Sequence, residues 1–325
     1  MLIMKMSAKL WRKNKRERSM NLLITGAWQE AAEHIPQIEK NHSVRFLAWE
    51  KEALPCEPSW VEGIIGNGIF LSHPIESFTN LRYIQLTSAG FDRVPMDYVK
   101  EHGIKIFNAR GVYSIPMAEY ALYSVLALYK KGNIFFENQK RRLWEKERNL
   151  KELYGQTVCI LGCGSVGTEC AKRFETMGCT IIGVDPFVQE NSHFSKIYHT
   201  DNIDEALKQS DVVIVTLPLT EKTKDMFNKD LFSAMKNGSV LVNIARGALV
   251  DSDALIDALS NKLFGAVLDV FEEEPLSESS PLWNIPNALI TPHNSFVGDG
   301  NGKRMSDVIM KNLEEYDNQS AKEHA

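Results

Sequence analysis

The most constraining stretch of the 325-residue chain lies near its middle, where Val158-Cys159-Ile160-Leu161 runs directly into Gly162-Cys163-Gly164-Ser165-Val166-Gly167. The G-x-G-x-x-G spacing alone is common, and its surroundings make it informative. A helical stretch follows to Gly178, a second apolar run fills 180–184, and Asp185 comes next. Glycines at these three positions permit a tight turn, close approach of backbone to a pyrophosphate, and close packing of helix on strand. The start of the helix offers unpaired N–H groups and a positive dipole end to phosphates. Asp185, 18 residues beyond Gly167, can accept both ribose hydroxyls; its charge repels a 2′-phosphate, and Pro186-Phe187 brings no Arg to hold one. The reading is a Rossmann-type dinucleotide unit that takes NAD in preference to NADP, with Gly162, Gly164, Ser165, Val166, Gly167 and Asp185 as cofactor contacts.

The rest of the chain is organised around a similar rhythm. Candidate strands at 21–25, 44–49, 61–65, 83–86 and 104–107 alternate with polar helical stretches, which predicts a parallel sheet covered by helices. A long apolar helix begins near Pro116, a residue tolerated in a first turn, and runs to about 131. Residues 133–153 are highly charged and read as a solvated helix plus a connection. Strands are then expected at 157–161, 180–184, 212–217, 240–244, 265–270 and 288–290, with helices at 165–177, 203–209, 228–235 and 251–261, and a last amphipathic helix at about 303–316. Two successive units predict two α/β domains with a cleft between.

Composition excludes little else. No run of about 18 apolar residues exists, so no membrane-spanning helix is expected. Residues 1–19 carry seven bases against one acid, a balance of +6 within a chain of −5, leaving −11 on the remainder. Such a cluster can attract nucleic acid or a membrane surface, or serve as an organelle leader. The simplest reading is a dispensable extension, with Met20 opening the folded chain and neither nucleic acid nor membrane as a partner. Cys56, Cys159, Cys163, Cys170 and Cys179 fit neither a zinc site nor a disulfide framework, so no metal is expected; they read as reduced thiols of a cytoplasmic protein.

Three patterns downstream carry chemistry. Arg246 stands in Asn243-Ile244-Ala245-Arg246-Gly247, at the end of an apolar strand; Glu272-Glu273-Glu274-Pro275 trails the strand that contains Asp269; and His293 follows Thr291-Pro292 after the last strand. All three leave strand ends in the unit that holds NAD, where open α/β sheets bind ligands. With Ser88-Ala89-Gly90-Phe91-Asp92, Asn108 to Glu119, Asp211 to Thr220, Val242 to Gly247 and Gly265 to Pro275, the chain from about 20 to 317 closely resembles the D-isomer-specific 2-hydroxyacid dehydrogenases.

That resemblance implies an NAD-dependent enzyme that reduces a small 2-oxo acid to the D-2-hydroxy acid, and the reverse. Arg246 would bind the substrate carboxylate and polarise its carbonyl, His293 would be the acid/base, and Glu274 would pair with His293 and favour its charged form. Backbone amides at Ser88, Ala89 and Gly90 would join Arg246 on the carboxylate. Thr216, Leu217, Pro218, Ala245 and Asp269 would line the cofactor, with Asp269 beside the nicotinamide amide. The resemblance further implies a Rossmann NAD domain at 116–293 inserted into a flavodoxin-like substrate domain of 20–115 plus 294–325, and a homodimer formed with the helix at 116–131.

The sequence departs from that family after His293, where Asn294-Ser295-Phe296-Val297-Gly298 replaces a pattern of smaller residues and leaves the substrate open. The segment Ile65-Gly66-Asn67-Gly68-Ile69 lacks the base that the phosphoglycerate branch carries there, and the chain ends 32 residues past His293, with no room for that branch's regulatory domain. A phosphoglycerate-type dehydrogenase is the first alternative. A non-catalytic NADH-sensing, corepressor-like protein is the second, disfavoured by the intact Arg246, Glu274 and His293. Arg93 and Arg110 are candidates for an additional anion contact.

Overall fold

The computed structural model describes residues 19–323, so the basic extension expected at 1–19 lies, apart from Ser19, outside the described residues. Two compact units emerge. One runs up to Val112 and resumes at Gly298; the other is Tyr113–Val297.

The first unit opens with β1 (Asn21–Thr25), α1 (Ala31–Ile38), β2 (Ser43–Leu47), β3 (Gly63–Gly66), β4 (Tyr83–Leu86), α2 (Met96–Glu101) and β5 (Lys105–Phe107). Its sheet is parallel throughout, in the order β2-β1-β3-β4-β5, the flavodoxin-like winding. β3 and β4 are buried along their whole length, which is why Ile64-Ile65 and Tyr83-Ile84 lack polar alternation. The helices expected between β2 and β4 are instead short 3-10 turns at Pro58–Trp60, Ile69–Leu71 and Ile75–Ser77. Pro58 and Pro74 interrupt these connections and leave no uninterrupted helical stretch.

The second unit begins with α3 (Ser114–Tyr129) and α4 (Gly132–Lys140), then β6 (Thr157–Leu161), α5 (Ser165–Thr176), β7 (Thr180–Val184) and β8 (Lys196–Tyr198). It continues through α6 (Ile203–Lys208), β9 (Val212–Val215), α7 (Lys229–Ala234), β10 (Val240–Asn243), α8 (Ser252–Asn261), β11 (Gly265–Leu268) and β12 (Ala288–Ile290). The strand order is β12-β11-β10-β9-β6-β7-β8, all parallel, and it reverses between β6 and β9. That is the doubly wound dinucleotide topology. β8 escapes the sequence pattern because an edge strand of three residues has no periodicity to read. One sheet face packs Ala121 and Val125 of α3 with Cys170 and Phe174 of α5, and the other packs Leu207, Phe232 and Leu255.

After Val297 the chain returns to the first unit as α9 (Asn301–Glu323), longer than the helix expected at 303–316. It is anchored along its length. Trp28 Nε1 donates to Ser306 Oγ at 3.1 Å, Asn312 Nδ2 donates to Gln85 Oε1 at 2.8 Å, and His42 Nε2 meets Asp317 Oδ2 at 3.1 Å. The Tyr83 and Tyr316 rings lie 4.9 Å apart. Ile309 is fully buried on this helix. Ile309→Ala should therefore destabilise the first unit by about 2–5 kcal/mol, read as a lower urea midpoint. A shift under about 0.5 kcal/mol would show that α9 is not part of that core.

Candidate active site

β6 turns into α5 through the glycine loop, and the structure shows why each glycine stands where it does. A Cβ on Gly167 would lie 2.0 Å from the carbonyl oxygen of Gly162, so no side chain fits where the helix meets the strand. A Cβ on Gly164 would meet nothing within 4 Å, leaving open space above the loop where a ligand backbone can approach. Gly164 caps α5 in an extended conformation without a side-chain bond, so the first-turn amides are available to phosphate oxygens. Ser165 Oγ lies 2.8 Å from Ser114 Oγ, tying the start of α5 to the start of α3, and Val166 packs against the core.

Asp185 sits just past β7 and splints the loop. Its Oδ2 accepts from Cys163 N at 2.8 Å, and Oδ1 accepts from Phe187 N at 2.8 Å and Val188 N at 2.9 Å. Thr216, after β9, closes the other side: its hydroxyl donates to the carbonyls of Leu161 (3.1 Å) and Gly162 (2.8 Å). Leu217 packs on the core, and the Pro218 carbonyl accepts from Thr223 Oγ1 at 2.8 Å. The donor-rich helix start, the open face at Gly164 and the carboxylate past β7 together fit a dinucleotide. Burial pushes the Cys163 thiol up to about 12, with the nearby Asp185 charge adding to the effect, so this loop cysteine is a neutral filler and not a nucleophile.

Arg246, Glu274 and His293, the residues expected to carry chemistry, follow the carboxyl ends of β10, β11 and β12. Ala245, nearly buried, donates its N–H to Asn243 Oδ1 at 3.1 Å and accepts from Arg246 Nη1 at 2.8 Å, while Asn243 Nδ2 donates to the Arg246 carbonyl at 2.9 Å. A Cβ on Gly247 would lie 1.8 Å from the carbonyl carbon of Phe271, so the Arg246 turn and the segment leading to Glu274 touch backbone to backbone. Phe271 N donates to Glu274 Oε1 at 3.0 Å, and Glu274 Oε2 meets His293 Nδ1 at 2.8 Å. A carboxylate can only accept, so Nδ1 carries the proton and Nε2 is the nitrogen left for chemistry. Glu272 and Glu273 are exposed.

His293 has a left-handed backbone (φ 51°), which a non-glycine residue holds only when its surroundings impose it. The imposing group is Asp269, fully buried after β11. Its carbonyl accepts from His293 N at 2.7 Å; its carboxylate accepts from Thr291 Oγ1 at 2.6 Å, Asn294 N at 2.8 Å and Ser295 N at 2.9 Å. Because Thr291 spends its proton on Asp269, the Tyr120 hydroxyl, 2.5 Å away, must be the donor to Thr291. Burial raises the Tyr120 phenol above its ordinary range, which keeps that proton in place. Tyr120 carries no motif of its own, and only the fold brings it, through Thr291, to Asp269. Phe296 stands edge-on to the His293 ring at 5.8 Å and to Tyr113 at 5.6 Å.

Ser88, Ala89 and Gly90 belong to the other unit, at the carboxyl end of β4. Ser88 O accepts from Ala109 N (2.9 Å), Ala89 O from Asn108 Nδ2 (2.7 Å) and Gly90 O from Ser88 Oγ (2.9 Å), which fixes the turn.

Residues 122–295 match the family model described as D-isomer specific 2-hydroxyacid dehydrogenase, NAD binding domain. The chain belongs to that family. It is 35% identical over 222 residues to D-3-phosphoglycerate dehydrogenase of Methanocaldococcus jannaschii, a match covering 67% of this chain and 42% of that protein. The chain thus spans about two fifths of that relative's length. Hydroxypyruvate reductase of Thermotoga maritima is 35% identical over 223 residues, covering 67% of this chain and 72% of the relative. The solved D-lactate dehydrogenase of Aquifex aeolicus, complexed with NAD and lactic acid, superposes with a TM-score of 0.75 at 26% identity, covering 93% and 98% of the two chains. As in other members of this dehydrogenase family, the Rossmann unit is an NAD-binding domain. Among the described residues no helix is long and apolar enough to cross a membrane, and no His/Cys/Asp/Glu group is arranged to hold a metal.

Gly167→Ala should abolish measurable NADH binding in a fluorescence titration, because loop or helix must move to admit the methyl. Retained affinity within about threefold would disprove the tight packing. Iodoacetamide treatment of native protein near neutral pH should leave NADH affinity intact; alkylation of Cys163 on the timescale of a free thiol would contradict its burial.

Proposed function

We propose that the chain catalyses the NAD-dependent reduction of a small 2-oxo acid to the D-2-hydroxy acid, and the reverse oxidation. The observation that carries this reading is the 2.8 Å His293–Glu274 contact, with Glu274 itself anchored on Phe271 N beside the Arg246 turn. The nicotinamide supplies a hydride to C2 when bound. Arg246 binds the substrate carboxylate and polarises the carbonyl with its fixed charge and planar fork. His293 gives its Nε2 proton to the carbonyl oxygen during reduction and takes it back during oxidation. Glu274 fixes the ring tautomer and stabilises the imidazolium, in the way carboxylates orient acid/base histidines.

In this reading the unit Tyr113–Val297 carries the cofactor through Gly162, Gly164, Ser165, Val166, Gly167, Asp185, Thr216, Leu217, Pro218 and Ala245. Asp269 adds a backbone and charge environment beside the nicotinamide while holding the His293 loop. The other unit carries the substrate, with amides of Ser88, Ala89 and Gly90 on its carboxylate. The absence of a base in 65–69 favours an unphosphorylated acid over a phosphoglycerate-type substrate. The exposed side chains of Tyr123, Phe136 and Trp144, the last 97% accessible, support a homodimer formed around α3 and the segment after α4. Five free thiols, four of them buried, support a reducing, cytoplasmic setting.

The deciding experiment follows NADH oxidation with a panel of 2-oxo acids, comparing the unaltered protein with His293→Ala. At least one small acid should be reduced, and His293→Ala should lower kcat by about 10²–10⁴-fold. No turnover of any acid, or equal activity of the variant, would refute the reading. Replacing Asp185 with Ser should raise NADPH use relative to NADH, since the charge facing a 2′-phosphate is gone.

A further inference from the structure

A second carboxylate with an unusual set of partners lies in the unit that runs up to Val112 and resumes at Gly298. Glu50 follows β2 and is half-buried. Its Oε1 accepts from Thr25 Oγ1 at 2.8 Å and from Asn67 N at 2.7 Å, and its Oε2 accepts from Gly68 N at 2.7 Å. Thr25 closes β1, while Asn67 and Gly68 directly follow β3. These neighbouring strands are where the sheet order reverses, the switch point at which open α/β sheets take ligands beyond their carboxyl ends.

Two successive backbone N–H groups and a hydroxyl converging at such short distances form an anion cradle, and the chain fills it with its own side chain. The fit is close: a Cβ on Gly66 would lie 2.6 Å from Glu50 Oε1. A Cβ on Gly68 would lie 3.5 Å from Glu50 Oε2 and 3.6 Å from Arg93 Cδ, so the Arg93 stem flanks the same turn. Thr87 N donates to Gly66 O at 2.9 Å, which places the Ser88–Gly90 segment one strand away, about 4.8 Å across the sheet.

We infer that Glu50 is a specificity-determining residue, which occupies the switch-point anion cradle and turns away 2-oxo acids bearing a second acidic group. The inference rests on the proposed 2-oxo acid reduction and on Ser88–Gly90 as the substrate segment. A phosphate, sulfonate or second carboxylate arriving there meets a like charge, and the donors it needs are already taken. Without the Glu50 side chain, the same three donors stand open beside Arg93, ready for an anion.

Glu50→Ala and Glu50→Gln test this in two arms. In the first, melting temperature is followed with sodium sulfate against sodium chloride at equal ionic strength. Sulfate should specifically stabilise Glu50→Ala and not the unaltered protein. A Glu50→Ala protein that binds NADH normally yet shows no gain in sulfate affinity overturns the cradle. In the second arm, kcat/KM is measured for hydroxypyruvate and 3-phosphohydroxypyruvate. The ratio in favour of the phosphorylated acid should rise about tenfold or more in Glu50→Ala, and by about threefold in the neutral isostere Glu50→Gln, which also serves if the alanine variant does not fold. An unchanged ratio in an active variant defeats the specificity role, even where sulfate binds. If no protein reduces any 2-oxo acid, the proposed reaction fails and the specificity role falls with it, while the sulfate arm still decides the cradle.

Discussion

Asp269 is buried so completely that its carboxylate is tolerable only with its lone pairs occupied. The chain meets that demand with Thr291, Asn294 and Ser295, all from the loop around His293. A side chain at the end of β11 thereby dictates the path of the backbone after β12. His293 accepts a left-handed conformation as part of that path, and its ring arrives against Glu274. The Tyr120–Thr291 contact extends the same demand to α3, so a helix far away in sequence helps to set the loop that carries His293.

The glycine loop and the Arg246–Glu274 region share one logic. In both, a position too crowded for any side chain brings two backbones together: Gly167 on Gly162, and Gly247 on Phe271. In both, a carboxylate then ties the contact with backbone N–H bonds, Asp185 in the first case and Glu274 in the second. Tight backbone contact is stiff, and stiffness is what a proton donor and a carboxylate-binding guanidinium would need in the proposed reaction.

Legibility in the sequence follows how local each determinant is. The glycine loop and Asp185 could be read because strand, turn, helix and acid lie within thirty residues and each type has a single physical role. Arg246, Glu274 and His293 are individually unremarkable, and their resemblance to a known order singled them out. β8 was invisible because Lys196-Ile197-Tyr198 is too short to show a period, and the connections after β2 and β3 read as more helical than their prolines allow. Asp269 is expected near the nicotinamide only by resemblance, whereas its hold on Asn294 and Ser295 depends on β11 and β12 lying side by side. Glu50 carried no signal at all. Its partners sit 25, 17 and 18 residues away, and only the strand order assembles them.

The arrangement of the units in the chain also has a consequence for synthesis. Tyr113–Val297 is continuous and holds its whole core within itself, so it can fold as soon as it clears the ribosome. The first sheet has no such independence. Trp28, His42, Tyr83 and Gln85 find their partners on α9, which is made only after the entire second unit. The first sheet is thus translated before the second unit yet completed after it, and during that interval the sheet face built around Tyr83 stays without the helix that covers it.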